Sequence, residues 1–146
     1  MTRWTVEPAE VLRKYRIVAV VGASKNPNKE AFTVPLYMQQ HGYTIIPINP
    51  TTDVISGVKT YPSLADLPDD TARTVEVVDV FRPSEELPAV ASQVAEMKMK
   101  TGRPFVFWTQ LGLENEDAKR ILRSQGVEFV MNVCMRTAHQ LLGGSR

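Results

Sequence analysis

The chain has 146 residues, an ordinary size for one domain and enough for a substantial hydrophobic core. With 43% hydrophobic residues, 23% charged residues and a net charge of +1, it is a globular sequence without the concentrated basic patch of a nucleic-acid surface. The single cysteine, Cys134, excludes an internal disulfide, no apolar run approaches the roughly 20 residues that cross a bilayer, and the first residues lack a signal-peptide core, so a cytoplasmic protein is expected.

Strand and helix patterns alternate along the chain. Residues 8–15 suit a short helix with Pro8 in its first turn. Residues 17–21 (IVAVV) are a β-branched run without polar alternation, as in a strand covered on both faces of a parallel sheet. A polar loop, 24–30, leads to a helix expected to run to residue 41. Pro35 suits only a first turn, which predicts a regular start near Thr33, and Gly42 is a C-terminal stop. Residues 43–48 read as the second strand, closed by Asn49 and Pro50. The stretch 51–70 is rich in turn formers and prolines, with one helical turn at 61–67 capped by Ser63.

Residues 74–80 read as a third strand, whose Glu76 and Asp79 suggest less complete burial than the first. Residues 83–100 are the second long helix, with Glu85 and Glu86 in the first turn where the helix dipole favours them. A strand at 104–108, a helix at 114–124 stopped by Gly126, a strand at 127–131 and a helix around 137–142 before Gly143 and Gly144 complete the pattern. This alternation predicts a Rossmann-like, three-layer α/β/α domain with an open, mainly parallel five-stranded sheet and right-handed crossovers. No repeat or linker divides the chain, so residues 1–146 are expected to form one domain, with a core at about 12–142.

Open parallel sheets bind ligands beyond the C-terminal strand ends, where the strand order reverses. That selects residues 22–30, 49–53, 81–84, 109–112 and 132–136. In the first of these, Gly22 permits a tight turn, Ser24 offers a hydroxyl, and Lys25 and Lys29 add charge. Backbone N–H groups there and at the following helix start suit a diphosphate. The alternative is a plain strand-to-helix turn with solvated lysines. A nicotinamide dinucleotide fits poorly: the second and third glycines of its fingerprint are absent after Gly22, and the second strand ends without a carboxylate. At 81–83, Phe81 and Pro83 can wall an adenine while Arg82 meets a phosphate or stacks on the base. Alternatively Phe81 is core and Arg82 makes a surface ion pair.

Taken in order, residues 20–24 (VVGAS), 42–50 (GYTIIPINP), 79–82 (DVFR), 108–112 (WTQLG) and 131–134 (MNVC) resemble the small stand-alone CoA-binding protein family. That family is similar to the N-terminal CoA-binding domain of the succinyl-CoA synthetase α subunit, and the likeness spans about residues 12–142. It implies a Rossmann-type domain cradling coenzyme A or an acyl-CoA as a binding module, carrier or sensor. Gly22, Ala23, Ser24 and Lys25 would then hold the diphosphate and Lys29 the 3′-phosphate. Asn49 and Pro50 would line the nucleotide side, Phe81, Arg82 and Pro83 would approach the adenine, and Thr109, Gln110 and Gly112 would follow the pantetheine. The chain departs from the family pattern in its last motif, where Ala138 stands for a glutamate before His139 and Asn132 for an aspartate.

Catalysis needs an acid, base or nucleophile within mutual reach. Cys134 and His139 are five residues apart and would approach each other if a helix begins between them, as nucleophile and base or as two ligands of an incomplete metal site. A buried structural cysteine is the simpler reading, and His41 beside Gly42 suits a helix cap. No catalytic or metal centre of the chain's own is therefore expected. An NAD(P)-binding enzyme or redox sensor, and an interaction subunit with a vestigial pocket, remain as alternatives. Trp4, Trp108, Met97 and Met99 are candidates for a protein or homo-oligomer interface, or for ordinary packing.

Overall fold

The computed structural model describes residues 2–142. Its elements are α1 (Pro8–Lys14), β1 (Ile17–Val21), α2 (Glu30–Gln40), β2 (Thr44–Ile48), β3 (Val54–Ile55), β4 (Val58–Lys59), α3 (Asp69–Ala72), β5 (Val77–Val80), α4 (Leu87–Thr101), β6 (Val106–Thr109), α5 (Glu116–Ser124), β7 (Glu128–Val130) and α6 (Met135–Gln140). Single 3-10 turns lie at Leu64–Asp66 and Ser84–Glu86. Five strands pair in parallel in the order β2-β1-β5-β6-β7, and β3 and β4 form a separate antiparallel hairpin. No helix among the described residues is long and apolar enough to cross a membrane.

Strand alternation divides the core into two layers, giving the expected Rossmann-like α/β/α arrangement. Val18, Val20, Val77, Trp108 and Val130 face one side, where Leu12 of α1, Met38 of α2 and Met135 of α6 cover them. Ala19, Val78, Val80, Phe107 and Phe129 face the other, beneath Val90 and Val94 of α4 and Leu122 of α5. With both faces covered, an apolar run needs no polar alternation. β5 is a correction: all four of its residues are buried, Asp79 included. Glu76 lies just before it, where its carboxylate accepts the N–H groups of Arg16 and Ile17.

Both sheet edges are occupied. Beside β7, Thr5 N–H donates to the Phe129 carbonyl and Met131 N–H to that of Arg3, with Trp4 bridging Val130. Beside β2, Tyr61 N–H donates to Pro47 and accepts Asn49 N–H, which suits a proline-containing edge strand. The hairpin turn was not anticipated. Ser56 (φ +51°) and Gly57 (φ +78°) are the two left-handed positions that a tight hairpin requires.

A second correction concerns α2, which begins at Glu30 rather than near Thr33 and holds Pro35 in its interior. A proline there has no N–H for the carbonyl four residues back, that of Ala31. Ser24 N–H fills the gap at 3.1 Å, so the loop after β1 is tied to the helix it feeds. The last helix likewise starts earlier than expected, at Met135, and Gly143 and Gly144 lie outside the described residues.

The strand order reverses between β1 and β5. The chain leaves β1 for α2 on one face and β5 for α4 on the other, so a cleft opens where the two loops part. At its floor Gly22 has φ +86°, and a Cβ on it would stand 2.7 Å from the Phe81 carbonyl oxygen and 3.0 Å from Arg82 Cδ. Gly22→Ala is expected to destabilise the protein by at least about 2 kcal/mol, from left-handed strain plus the clash. A urea midpoint equal to wild type would show that the loops need not approach so closely.

Candidate functional site

The loop after β1 is a chain of local turns. Ser24 Oγ accepts Asn26 N–H, Asn26 Oδ1 accepts Asn28 N–H, and the Asn26 carbonyl accepts Lys29 N–H, each at 3.0 Å. Lys29, at the N-cap of α2, supplies no side-chain oxygen to the helix. The N–H groups of Ala23, Lys25, Glu30 and Ala31 consequently meet no acceptor among the described residues. Opening N–H groups of a helix carry partial positive charge, and the exposed Lys25 and Lys29 add to it. Unpaired N–H groups beside two lysines are chemically suited to an anion.

Asn49 fastens the loop from the β2 side. Its Nδ2 donates to the Ala23 carbonyl at 2.7 Å, and its Oδ1 accepts both the backbone N–H and the hydroxyl of Thr51. Pro50 beside it is exposed. On the β5 side, half-buried Phe81 packs against the layer containing α2. The Arg82 stem crosses Gly22, and its guanidinium makes a two-pronged ion pair with Glu86 at 3.0 and 3.1 Å. Exposed Pro83 precedes Ser84, whose hydroxyl accepts Glu114 N–H and whose carbonyl accepts the Asn115 amide. Asn115 also caps α5 through Ala118 N–H. The 81–84 loop is thus held by the loop that leaves β6.

Thr109, Gln110 and Gly112 lie on that farther side of the strand ends. Thr109 is fully buried, with its hydroxyl donating to the Leu113 carbonyl and accepting Asn132 N–H. Asn132, in the left-handed conformation (φ +66°), accepts Gly112 N–H at 2.5 Å. Gln110 donates through Nε2 to Asp79 Oδ1 at 2.6 Å and accepts Met135 N–H on Oε1 at 3.2 Å. Beyond Gly112, a groove of about 430 Å³ runs between Trp4, Leu111, Val133, Cys134, Ala138 and Leu141.

The structure therefore brings Gly22, Ala23, Asn49, Phe81 and Arg82 into direct contact, and sets Thr109, Gln110 and Gly112 at the end of β6, beside β5 and two strands from β1. Each of Asn49, Arg82, Thr109 and Gln110 also has a partner within the protein. Asp79 is the residue that sequence reasoning missed. Together with Glu76 it suggests a strand less completely buried than β1, whereas it is 1% exposed. Burial pushes its carboxyl up to about 7, against the lowering effect of its bonds to Gln110 and the Val80 backbone.

Cys134 is half-buried at the N-cap of α6. His139 is buried and turned to α2, its Nδ1 lying 2.8 Å from the Tyr37 hydroxyl. Its ring packs edge-on to Tyr37, His41 and Tyr43, so its bonding joins helices rather than serving the cysteine. His41 is the expected C-cap residue, with Nδ1–H donating to the Tyr37 carbonyl at 2.7 Å. Among the described residues no group of three or more His, Cys, Asp or Glu is placed to hold a metal ion.

Residues 16–140 match a protein family described as CoA binding domain. The chain is 41% identical over 133 residues to the uncharacterized protein YneT of Bacillus subtilis, covering 91% of this chain and 92% of that one. It is 34% identical over 85 residues to acetate–CoA ligase (ADP-forming) II of Archaeoglobus fulgidus, covering 57% of this chain and 12% of the ligase. A hypothetical protein from Pyrococcus horikoshii OT3 superposes with a TM-score of 0.81 at 32% identity, over 99% of both chains.

The raised carboxyl has a consequence for stability. The folded protein keeps the Asp79 proton up to about 7, whereas the unfolded chain releases it near 3.8. Asp79 thus favours folding at low pH, and that contribution, about 4 kcal/mol, is lost as pH rises from about 4 to 7. Asp79→Asn is expected to gain stability on wild type between pH 5 and pH 8 in urea melts. An equal difference at both pH values would show that the carboxyl titrates normally.

Proposed function

The chain belongs to the CoA-binding domain family, and on that premise we propose that it binds coenzyme A or an acyl-CoA across its C-terminal strand ends as a non-catalytic module, carrier or sensor. One observation carries this reading: the strand ends are electrically lopsided. Lys25, Lys29, Arg82 and four unpartnered N–H groups gather around β1 and β5, while the loops leaving β6 and β7, residues 110–115 and 131–134, contain one acid, Glu114, and no cation, and lead to a mainly apolar groove whose wall also holds Glu7 and Arg13. Coenzyme A has the same division, with a phosphorylated nucleotide at one end and a neutral pantetheine arm at the other.

In this placement the 22–25 turn and the opening of α2 hold the diphosphate, and Lys29 meets the 3′-phosphate. Asn49 and Pro50 border the nucleotide, and Phe81, Arg82 and Pro83 wall the adenine. The pantetheine runs over Thr109, Gln110 and Gly112 toward the apolar groove. Arg82 already has a carboxylate partner, so a phosphate or base must compete with Glu86 for its guanidinium. The family's occurrence as a small part of the acetate–CoA ligase supports a binding role, and we propose that the whole chain acts as one such unit.

Thermal melting with CoA, dephospho-CoA, acetyl-CoA, NAD and ATP in parallel tests the proposal. CoA at about 100 times its dissociation constant adds roughly 2.7 kcal/mol, a shift of several degrees, and dephospho-CoA is expected to shift the midpoint less. Lys25→Ala and Arg82→Ala should each weaken CoA binding by roughly 1–3 kcal/mol. No shift at saturating CoA would refute the reading, and a larger shift with NAD would replace it.

A further inference from the structure

Three polar groups meet where β5, β6 and α6 converge, within an otherwise apolar layer. Asp79 and Gln110 are 1% and 4% exposed, and the Gln110 amide stands between the Asp79 carboxyl and the Met135 N–H. Met135 is the first residue of α6, and Cys134 before it gives that helix no side-chain cap, so Gln110 Oε1 is the acceptor serving its first N–H. A primary amide has one donor end and one acceptor end. While a carboxylate takes the donor end, the acceptor end is fixed on α6. A protonated Asp79 keeps one acceptor oxygen but gains a donor of its own, and the acceptor open to that donor in this chain of bonds is the oxygen already serving Met135.

No charged side chain shares the site. In register beside Asp79 stand Val20 on β1 and Trp108 on β6. Of the helices covering this layer, α1 carries Glu10, Arg13 and Lys14, α2 carries Glu30 and Tyr37, and α6 carries Arg136 and His139; His41 caps α2 at its end and Cys134 stands at the start of α6. None of these bonds to Asp79, and the proton is governed by burial, Gln110 and the Val80 backbone. A buried acid without a cation is costly to ionise, and it sits at the end of the sheet where ligands bind.

We propose that Asp79 is a positioning residue for the ligand cleft: its carboxylate orients Gln110 to hold the start of α6, and its protonation releases that wall and weakens ligand binding. The regulatory half rests on the reading that CoA lies over these strand ends. The changeover falls near neutral pH, because the carboxyl is raised to about 7.

Amide hydrogen exchange in the free protein tests the latch, with Met135 N–H followed by NMR at pH 6 and pH 8 and rates referred to intrinsic exchange. Protection of Met135 is expected to fall at pH 6 while β-strand amides keep theirs. The dissociation constant for CoA is expected to rise about tenfold from pH 8 to pH 6, the factor for a competent form populated to about one part in ten. In Asp79→Asn the Met135 protection should be the same at both pH values, leaving for CoA only the pH dependence of its own phosphate. Should that variant fail to fold, the wild-type exchange measurement decides alone. Equal Met135 protection at pH 6 and 8 would overturn the latch whether or not CoA binds. Altered protection with no CoA binding at either pH would instead overturn the ligand reading and its regulation.

Discussion

A parallel sheet with helices on both faces must let two neighbouring loops part at one point, and in this protein they part above a residue with no side chain. Gly22 takes a left-handed turn directly under the Phe81 carbonyl, closer than any Cβ allows. Both sides of the cleft depend on that approach. Because the loops touch at the floor, the Arg82 stem lies across the β1 turn, and Ala23 is presented to Asn49 from the β2 side. A side chain at residue 22 would separate these groups before any question of ligand arose.

The same region shows how a local rule is broken and compensated. Pro35 inside α2 removes one helical hydrogen bond, a defect that ordinarily kinks or ends a helix. Here the stranded Ala31 carbonyl binds Ser24 N–H, so the defect anchors the loop that surrounds the open helix start. The missing cap at Lys29 works in the same direction. Filling both places with conventional residues would improve the helix in isolation while loosening the loop and occupying its amides.

The parts of this design that depend on neighbours in sequence were legible, and those that depend on distant partners were not. The run at Ile17–Val21 marks β1 to the residue, because an unbroken apolar, mostly β-branched stretch and a following glycine leave few alternatives. The strand-end rule then located the loops. Pro35 defies its local rule because the donor that meets the Ala31 carbonyl belongs to another segment. Asp79 is ambiguous in sequence because one polar residue in a short strand suits either exposure or a buried partner, and Gln110 is 31 residues away. The ties of Asn49 to Ala23 and of Thr109 to Asn132 span 26 and 23 residues and were hidden for the same reason. The hairpin left a usable signal in Ser56 and Gly57, but two-residue strands are too short to show periodicity.

The distribution of buried polarity points to the same end of the molecule without appeal to any relative. Within the central strands the first buried residues are apolar: Val18 and Ala19, Val77 and Val78, Val106 and Phe107; outside them, buried His139 is bonded to Tyr37 and Thr60 follows β4. Asp79, Thr109 and Gln110 are buried within a residue or so of where β5 and β6 finish. Lys119 in α5 is also buried, but Glu114 and Glu116 lie 2.6 and 2.7 Å from its ammonium and satisfy it in place. Asp79 has only a neutral amide and backbone for company, and valine would pack there at lower free-energy cost. A fold that keeps an uncompensated acid beside its C-terminal strand ends trades stability at neutral pH for a group that changes charge there. The cationic limb of the cleft is built from Lys25, Lys29, Arg82 and free amides. The neutral limb is the part whose geometry one proton can alter.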